Sequence, residues 1–211
     1  MKALFIKVCG MRDALNIEKI AALSPRYMGF IFAPNSSRYV GEAFSSGITR
    51  SLREGITSVG VFQDQELATV VETLREYALG AAQLHGEEDA RYLQALRREL
   101  PRVSLIKAVS VSTGLDLKKL EDVADSVDLF VFDNGRGGTG EAFDWDALRD
   151  YSGDVPFLLA GGIGLSNLET ALASARRCDR CVGLDINSKF EVRPGLKDET
   201  QVEELLRRVR V

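Results

Sequence analysis

Eight short apolar runs recur along the chain, each followed by a stretch with helical spacing, and this alternation limits the possible folds more than any other feature. The runs are Leu4–Cys9, Tyr27–Phe32, Thr57–Phe62, Ala81–His85, Val103–Val109, Asp128–Asp133, Pro156–Ala160 and Cys181–Ile186. Most are continuously apolar, as parallel strands covered on both faces should be. Helical patterns fill the intervals at Asp13–Leu23, Gly41–Glu54 (the weakest), Gln65–Leu79, Asp89–Leu100, Leu115–Ser126, Asp144–Tyr151 and Ser166–Ala175, and Glu199–Val211 follows the last run. Asp13, Asp89, Asp144 and Ser166 stand where N-caps are expected. Strict alternation implies right-handed crossovers, and eight units in 211 residues fit an α/β fold of the (β/α)8 TIM-barrel type. A doubly wound open sheet is the alternative, but it usually has fewer strands and would leave apolar edges unguarded here. No Gly-, Pro- or Ser-rich linker interrupts the pattern, so residues 1–211 read as one domain.

Composition excludes several function classes. A net charge of −4 does not draw the surface as a whole to nucleic acid or anionic membrane. No apolar run is long enough to span a bilayer, and the N-terminus lacks the apolar core and small-residue cleavage site of a signal peptide. A cytoplasmic protein is expected. Three cysteines, an odd number, suit a reducing compartment better than a disulfide framework.

In a barrel the carboxyl ends of all strands open on one face, so distant residues converge there. That rim collects Cys9, the stretch Phe32–Val40 with Arg38, Gln63 and Asp64, Gln83 and His85, Lys107, Asp133, the loop Gly161-Gly162-Ile163-Gly164, and Asp185, Asn187, Ser188 and Lys189. Backbone amides that cradle a phosphate must be free of bulky side chains, and barrels often hold phosphate at loops seven and eight. The glycines at 161, 162 and 164, beside the glycine-rich run Gly135–Gly140 of loop six, fit that use, although a tight turn also favours glycine. Cys9 and Asp133 end strands one and six and can face one another across the mouth, where a thiolate and a carboxylic acid could move two protons in one turnover. An inert buried thiol and a loop-anchoring carboxylate are the plain alternatives. Arg38 could grip a carboxylate through its fork, although a lone loop arginine is more often solvated. Lys7 shares the inward face of Cys9 and there needs an anionic partner such as Asp185. Cys178 and Cys181 have CxxC spacing but follow a helix rather than begin one, and His85 is the chain's single histidine, so both cysteines read as structural.

Taken together, Lys7-Val8-Cys9-Gly10, Gly29–Phe32 with Ser37–Val40, Gly60-Val61-Phe62, Gln83-Leu84-His85-Gly86 and Lys107-Ala108-Val109 resemble the phosphoribosylanthranilate isomerase family. So do Phe132-Asp133, Gly137–Gly140 with Phe143-Asp144-Trp145, Leu159–Gly162 and Pro194–Asp198. The resemblance implies a barrel enzyme of tryptophan biosynthesis that carries out an Amadori rearrangement without metal or cofactor, acting on a phosphoribosyl anthranilate as a monomer or homodimer. By the family motif, Asp133 is the general acid that opens the ribose ring and Cys9 the general base that removes the C2 proton. Arg38 matches the arginine that holds the anthranilate carboxylate, and His85, Gly161, Gly162, Asp185, Asn187 and Ser188 complete the expected substrate-binding set. These roles call for a thiol shifted modestly downward, so that it is a base near neutrality, and for an Asp133 that is protonated in the complex. The sequence departs from the family at loop eight, where Asn187-Ser188-Lys189-Phe190 replaces a Ser-Ser-Gly-type turn.

Two further enzyme readings compete. The sugar isomerase of histidine biosynthesis uses an aspartate where this chain has Cys9 and carries an internal two-fold repeat not visible here. A ribulose-phosphate epimerase needs several metal-binding histidines. Outside catalysis, a silent phosphosugar-binding barrel would share the glycine loops but not need both Cys9 and Asp133.

Overall fold

The computed structural model describes residues 3–111, 116–134, 145, 148 and 151–209. Within them the strands are β1 (Phe5–Val8), β2 (Tyr27–Ile31), β3 (Thr57–Phe62), β4 (Ala81–Leu84), β5 (Ser104–Ser110), β6 (Leu129–Asp133), β7 (Phe157–Leu159) and β8 (Cys181–Ile186). Each pairs in parallel with the next, and β1 pairs with β8, with Lys7 beside Asp185, so the sheet closes into a barrel. The open-sheet alternative is thereby excluded, and the strand ends lie within a residue or so of those the apolar runs predict.

The helices are α1 (Ala14–Ala22), α2 (Ser46–Arg50), α3 (Leu67–Glu76), α4 (Ala90–Glu99), α5 (Leu117–Ala124), α6 (Leu168–Arg177) and α7 (Glu199–Val209). Asp13 and Asp89 are N-caps as expected, their carboxylates accepting from the amides of Asn16 and Tyr92. Ser166 is not one: α6 begins a position later, behind Asn167. The Asn167 side chain folds back instead, its Oδ1 accepting from Gly164 N at 2.8 Å and its Nδ2 donating to Gly162 O at 3.0 Å. The weak pattern Gly41–Glu54 gives only the five-residue α2. Two glycines and few apolar positions leave the remainder of that interval without a face to bury. Of the expected helix Asp144–Tyr151 only residues 145, 148 and 151 are described; its cap Asp144 and the glycines of loop six lie outside the described residues.

Side-chain alternation along each strand produces two cores. Outward residues such as Ile6, Val8, Phe30, Phe62, Phe130 and Phe132 meet the buried stripes of the helices. Inward residues Val59, Ala81, Ile106, Ala108, Leu129, Val131, Leu158 and Ala160 fill the lower barrel, and Cys9, Ile31, Ala33 and Val61 form a layer above them. One feature was not anticipated. After β8 a 3-10 turn at Ser188–Phe190 leads into an antiparallel hairpin of β9 (Glu191–Arg193) and β10 (Leu196–Lys197) before α7 packs against α1.

Candidate active site

The inward rows that fill the barrel also deliver the polar groups above it. Two positions on from Lys7 is Cys9, two on from Gln83 is His85, and two on from Val131 is Asp133. These groups surround a cavity of about 700 Å³ at the carboxyl ends of the strands. The structure brings all of the expected site residues to its walls: Cys9, Arg38, His85, Asp133, Gly161, Gly162, Asp185, Asn187 and Ser188. Lys107 does not join them. Its neighbours Ile106 and Ala108 point inward, so Lys107 turns out of the barrel, where its ammonium donates to Gly86 O and pairs with Glu88 at 3.1 Å. Glu88 in turn accepts from the amides of Asp64 and Gly86, which pins loop four to loop three.

Lys7 finds the partner its inward position demands. Its Nζ lies 3.1 and 3.0 Å from the two oxygens of Asp185, the geometry of an ion pair. Gly29 on β2 makes room for this group: a Cβ there would sit 2.9 Å from Cys9 Sγ and 3.3 Å from Lys7 Nζ. Burial works against the Lys7 charge, but the carboxylate of Asp185 and the neighbouring Cys9 outweigh it and hold the ammonium above its ordinary value. Burial likewise pushes the Asp185 carboxyl up against the pull of Lys7. The expectation of a lowered Cys9 thiol is corrected. The thiol is raised, because burial dominates and the adjacent Lys7 cation only partly offsets it.

Across the mouth, Asp133 closes β6 with its Oδ1 accepting from the Asn134 amide at 2.6 Å. Its Oδ2 lies 3.8 Å from His85 Nε2. Gln83 Nε2 stands 3.3 Å from His85 Nδ1. With the amide as donor, Nδ1 accepts and the ring proton sits on Nε2, facing Asp133. Burial draws the His85 value down despite that carboxylate, which keeps the ring neutral.

Arg38 is almost wholly buried and already engaged. Its Nε reaches both oxygens of Glu191 at 2.9 and 3.0 Å, its Nη2 reaches Oε2 at 2.7 Å, and Nη1 turns to Ser37 Oγ at 3.4 Å. The same Glu191 accepts from Lys197 Nζ at 2.6 Å, and that ammonium also donates to Asn187 Oδ1 at 2.7 Å. Burial pushes Glu191 up, but Arg38 and Lys197 together hold it below the usual carboxylate value. In loop seven, Gly161 and Gly162 adopt φ of 81° and 64°, a left-handed pair that suits glycine and turns successive amides to one side. The amides of Gly161, Gly162 and Ile163 donate to none of the described residues, whereas Gly164 N is taken by Asn167.

Sequence reasoning passed over Glu191, Lys197 and Glu88 as functional neighbours. The Pro194-Gly195 dipeptide between Glu191–Arg193 and Leu196–Lys197 is a hairpin signal that could have placed the first two. Nothing local marks Glu88, whose partner Lys107 is 19 residues away.

The sequence and the fold have counterparts among known proteins. The sequence profile of the family described as N-(5'phosphoribosyl)anthranilate (PRA) isomerase matches residues 6–208. The N-(5'-phosphoribosyl)anthranilate isomerase of Parabacteroides distasonis is 38% identical over 210 residues, 98% of this chain and 93% of that protein. The tryptophan biosynthesis protein TrpCF of Yersinia pestis is 37% identical over 206 residues, which are 97% of this chain but 41% of the longer relative. The crystal structure of phosphoribosyl anthranilate isomerase from Thermus thermophilus superposes with a TM-score of 0.86 at 30% identity, over 98% of each chain. The chain belongs to the N-(5'-phosphoribosyl)anthranilate isomerase family.

Proposed function

We propose that the cavity at the carboxyl ends of the strands rearranges N-(5-phosphoribosyl)anthranilate to 1-(2-carboxyphenylamino)-1-deoxyribulose 5-phosphate, a step of tryptophan biosynthesis. The observation that carries this reading is that Cys9, Asp133, Arg38 and the Gly161-Gly162 turn line one cavity. Asp133 protonates the ribose ring oxygen, the C1–O bond breaks, and the anthranilate nitrogen supplies the electron pair that makes an iminium. Cys9 then removes the proton at C2, and the C2–H electrons flow to C1 to give an enolamine, which tautomerises to the ketone. The raised thiol is compatible with this order of events. Lys7 beside Cys9 favours the thiolate, and the iminium formed in the first step adds a second positive charge when the base must act. His85, neutral with Nε2–H toward Asp133, offers a hydrogen bond to the carboxylate that remains after proton donation. Gly161, Gly162 and Ile163 amides, with Asn187 and Ser188 opposite, receive the 5-phosphate, a backbone grip that tolerates the altered side chains of loop eight. Arg38 receives the anthranilate carboxylate.

We read residues 1–211 as a single catalytic domain. We place it in the cytoplasm, where a base that must remain a thiol stays reduced. No helix among the described residues is long and apolar enough to cross a membrane.

Cys9→Ser and Asp133→Asn test the assignment. Each should lower turnover by a factor of about 10² or more, the usual worth of a positioned acid or base, while the fold and the affinity for the reduced product persist. Near-normal turnover in either variant refutes the role given to that residue.

A further inference from the structure

The hairpin that follows β8 lies outside the ring of the barrel, yet it holds side chains of two of the loops that surround Cys9. Glu191 and Lys197 are its buried side chains, with side-chain exposures of 4% and 0%. Glu191 accepts from Arg38 of loop two, from Lys197 and from the Gly195 amide at 3.1 Å within its own turn. Lys197 continues the chain to Asn187 of loop eight. Loop one is wedged between the two: a Cβ on Gly10, directly after Cys9, would sit 2.7 Å from Asn187 Oδ1 and 2.8 Å from Arg38 Cδ. The hairpin is itself anchored to α1, where the buried Asn16 side chain exchanges hydrogen bonds with the backbone N–H and C=O of Lys197 at 2.8 and 2.9 Å.

A guanidinium gripped along its Nε–Nη2 edge cannot rotate, so its Nη1 side, which reaches only the long contact to Ser37 Oγ at 3.4 Å, is held at one orientation. Arg38 and Asn187 both line the cavity. Arg38 and Lys197 share the single carboxylate of Glu191; burial draws the Lys197 ammonium below its ordinary value despite that carboxylate, whereas the guanidinium keeps its charge for an anionic ligand. We propose that Glu191 is a positioning residue for carboxylate recognition: from the β9–β10 hairpin it fixes the Arg38 fork so that its Nη1 side meets the anthranilate carboxylate, while Lys197 compensates Glu191 and holds Asn187 beside it. This inference rests on the role given to Arg38 above.

Two ligands separate a positioning role from a purely structural one: 1-(2-carboxyphenylamino)-1-deoxyribitol 5-phosphate and its phenylamino counterpart lacking the carboxylate. The wild type should bind the first more tightly. Glu191→Gln keeps the side chain's size and one acceptor but loses the charged two-point grip. It should weaken the carboxylated ligand by about tenfold, the equivalent of one charge-assisted hydrogen bond, and leave the other ligand within about twofold. Glu191→Asp keeps the charge beside Lys197 but draws the two-point grip back from Arg38 and should show the same selective loss, so the test survives if the first variant folds poorly. A structural role would weaken both ligands alike, and that outcome, or unchanged discrimination, overturns the proposal. Arg38→Ala decides the premise separately. If it retains the wild-type preference for the carboxylated ligand, the reading of Arg38 fails. If it abolishes the preference while the Glu191 variants keep it, only the positioning role fails.

Discussion

Replacing Lys7 by Met should cost this protein about 4 kcal/mol at pH 7, and the loss should shrink as the solution is acidified. Met fills similar volume without charge, so the change isolates the ion pair. Lys7 and Asp185 have side-chain exposures of 0% and 9%, with Nζ 3.0 Å from the nearer oxygen. Without Lys7 the carboxylate is buried and uncompensated, a situation that costs about 3–5 kcal/mol when one member of such a pair is removed. Asp185 has one escape, which is to bind a proton. Starting from the ordinary value of 3.8, protonation at pH 7 costs about 4 kcal/mol at ~1.4 kcal/mol per unit. The two routes give the same size of penalty.

The escape route fixes the pH dependence. In the variant, the folded-state value of Asp185, already raised by burial in the wild type, rises further because burial is no longer opposed by Lys7. Such a group is most favourable to folding below the unfolded value and loses that advantage as pH rises through the folded value. The deficit against wild type should therefore fall on going down from pH 7 toward 5, by up to about 1.4 kcal/mol per pH unit. Urea unfolding at a series of pH values measures it. Against a typical domain stability of about 5–15 kcal/mol, a folded baseline should survive. Lys7→Met with Asp185→Leu should recover most of the loss, since an apolar pair of similar volume replaces both charges. The variant should also carry a still higher Cys9 thiol, because Lys7 is the main group drawing it down, and its turnover near neutrality should fall. A deficit under about 1 kcal/mol at pH 7, or one that stays constant with pH, would refute the argument that a buried ion pair holds Asp185 in its charged form.

Three other outcomes can be checked directly. Gly162→Val places a β-branched side chain at a φ of 64°, where such residues are outliers; affinity for inorganic phosphate, read by calorimetry, should drop by about tenfold or more while Lys189→Ala changes it little. Asn16→Ala strips two hydrogen bonds from the buried Lys197 backbone and should lower stability by about 1–3 kcal/mol in chemical denaturation. His85 titrates below its ordinary value of 6.5, so the unfolded chain takes up its proton first as pH falls; wild-type stability should decline below pH 6.5, and His85→Gln should remove that part of the decline.

The barrel itself was legible because its information is local and periodic. Runs such as Thr57–Phe62 and Cys181–Ile186 are apolar throughout, caps such as Asp13 and Asp89 precede apolar stripes, and eight repetitions leave few topologies open. The site was legible for a related reason. In a closed parallel barrel, the residue that ends each strand lies on the same rim wherever it occurs in sequence, so the sequence alone brings Cys9 and Asp133 together. Lys7 also declared its need for a partner, since a charge two positions before Cys9 has to face inward.

What the tertiary structure alone decided were quantities summed over neighbours from distant parts of the chain. The direction of the Cys9 shift depends on how completely β2 and the barrel wall exclude water from it, and burial there outweighs the cation that the sequence places nearby. Asn167 displaced Ser166 at the start of α6 because its amide could bridge Gly162 and Gly164 across the loop. The employment of Arg38 was invisible for the same reason. A lone loop arginine has no preferred partner in its own neighbourhood, and the carboxylate that grips it lies 153 residues away on a hairpin. Periodicity can place a residue on a face; only the folded chain determines which charges share that face and how much water is left between them.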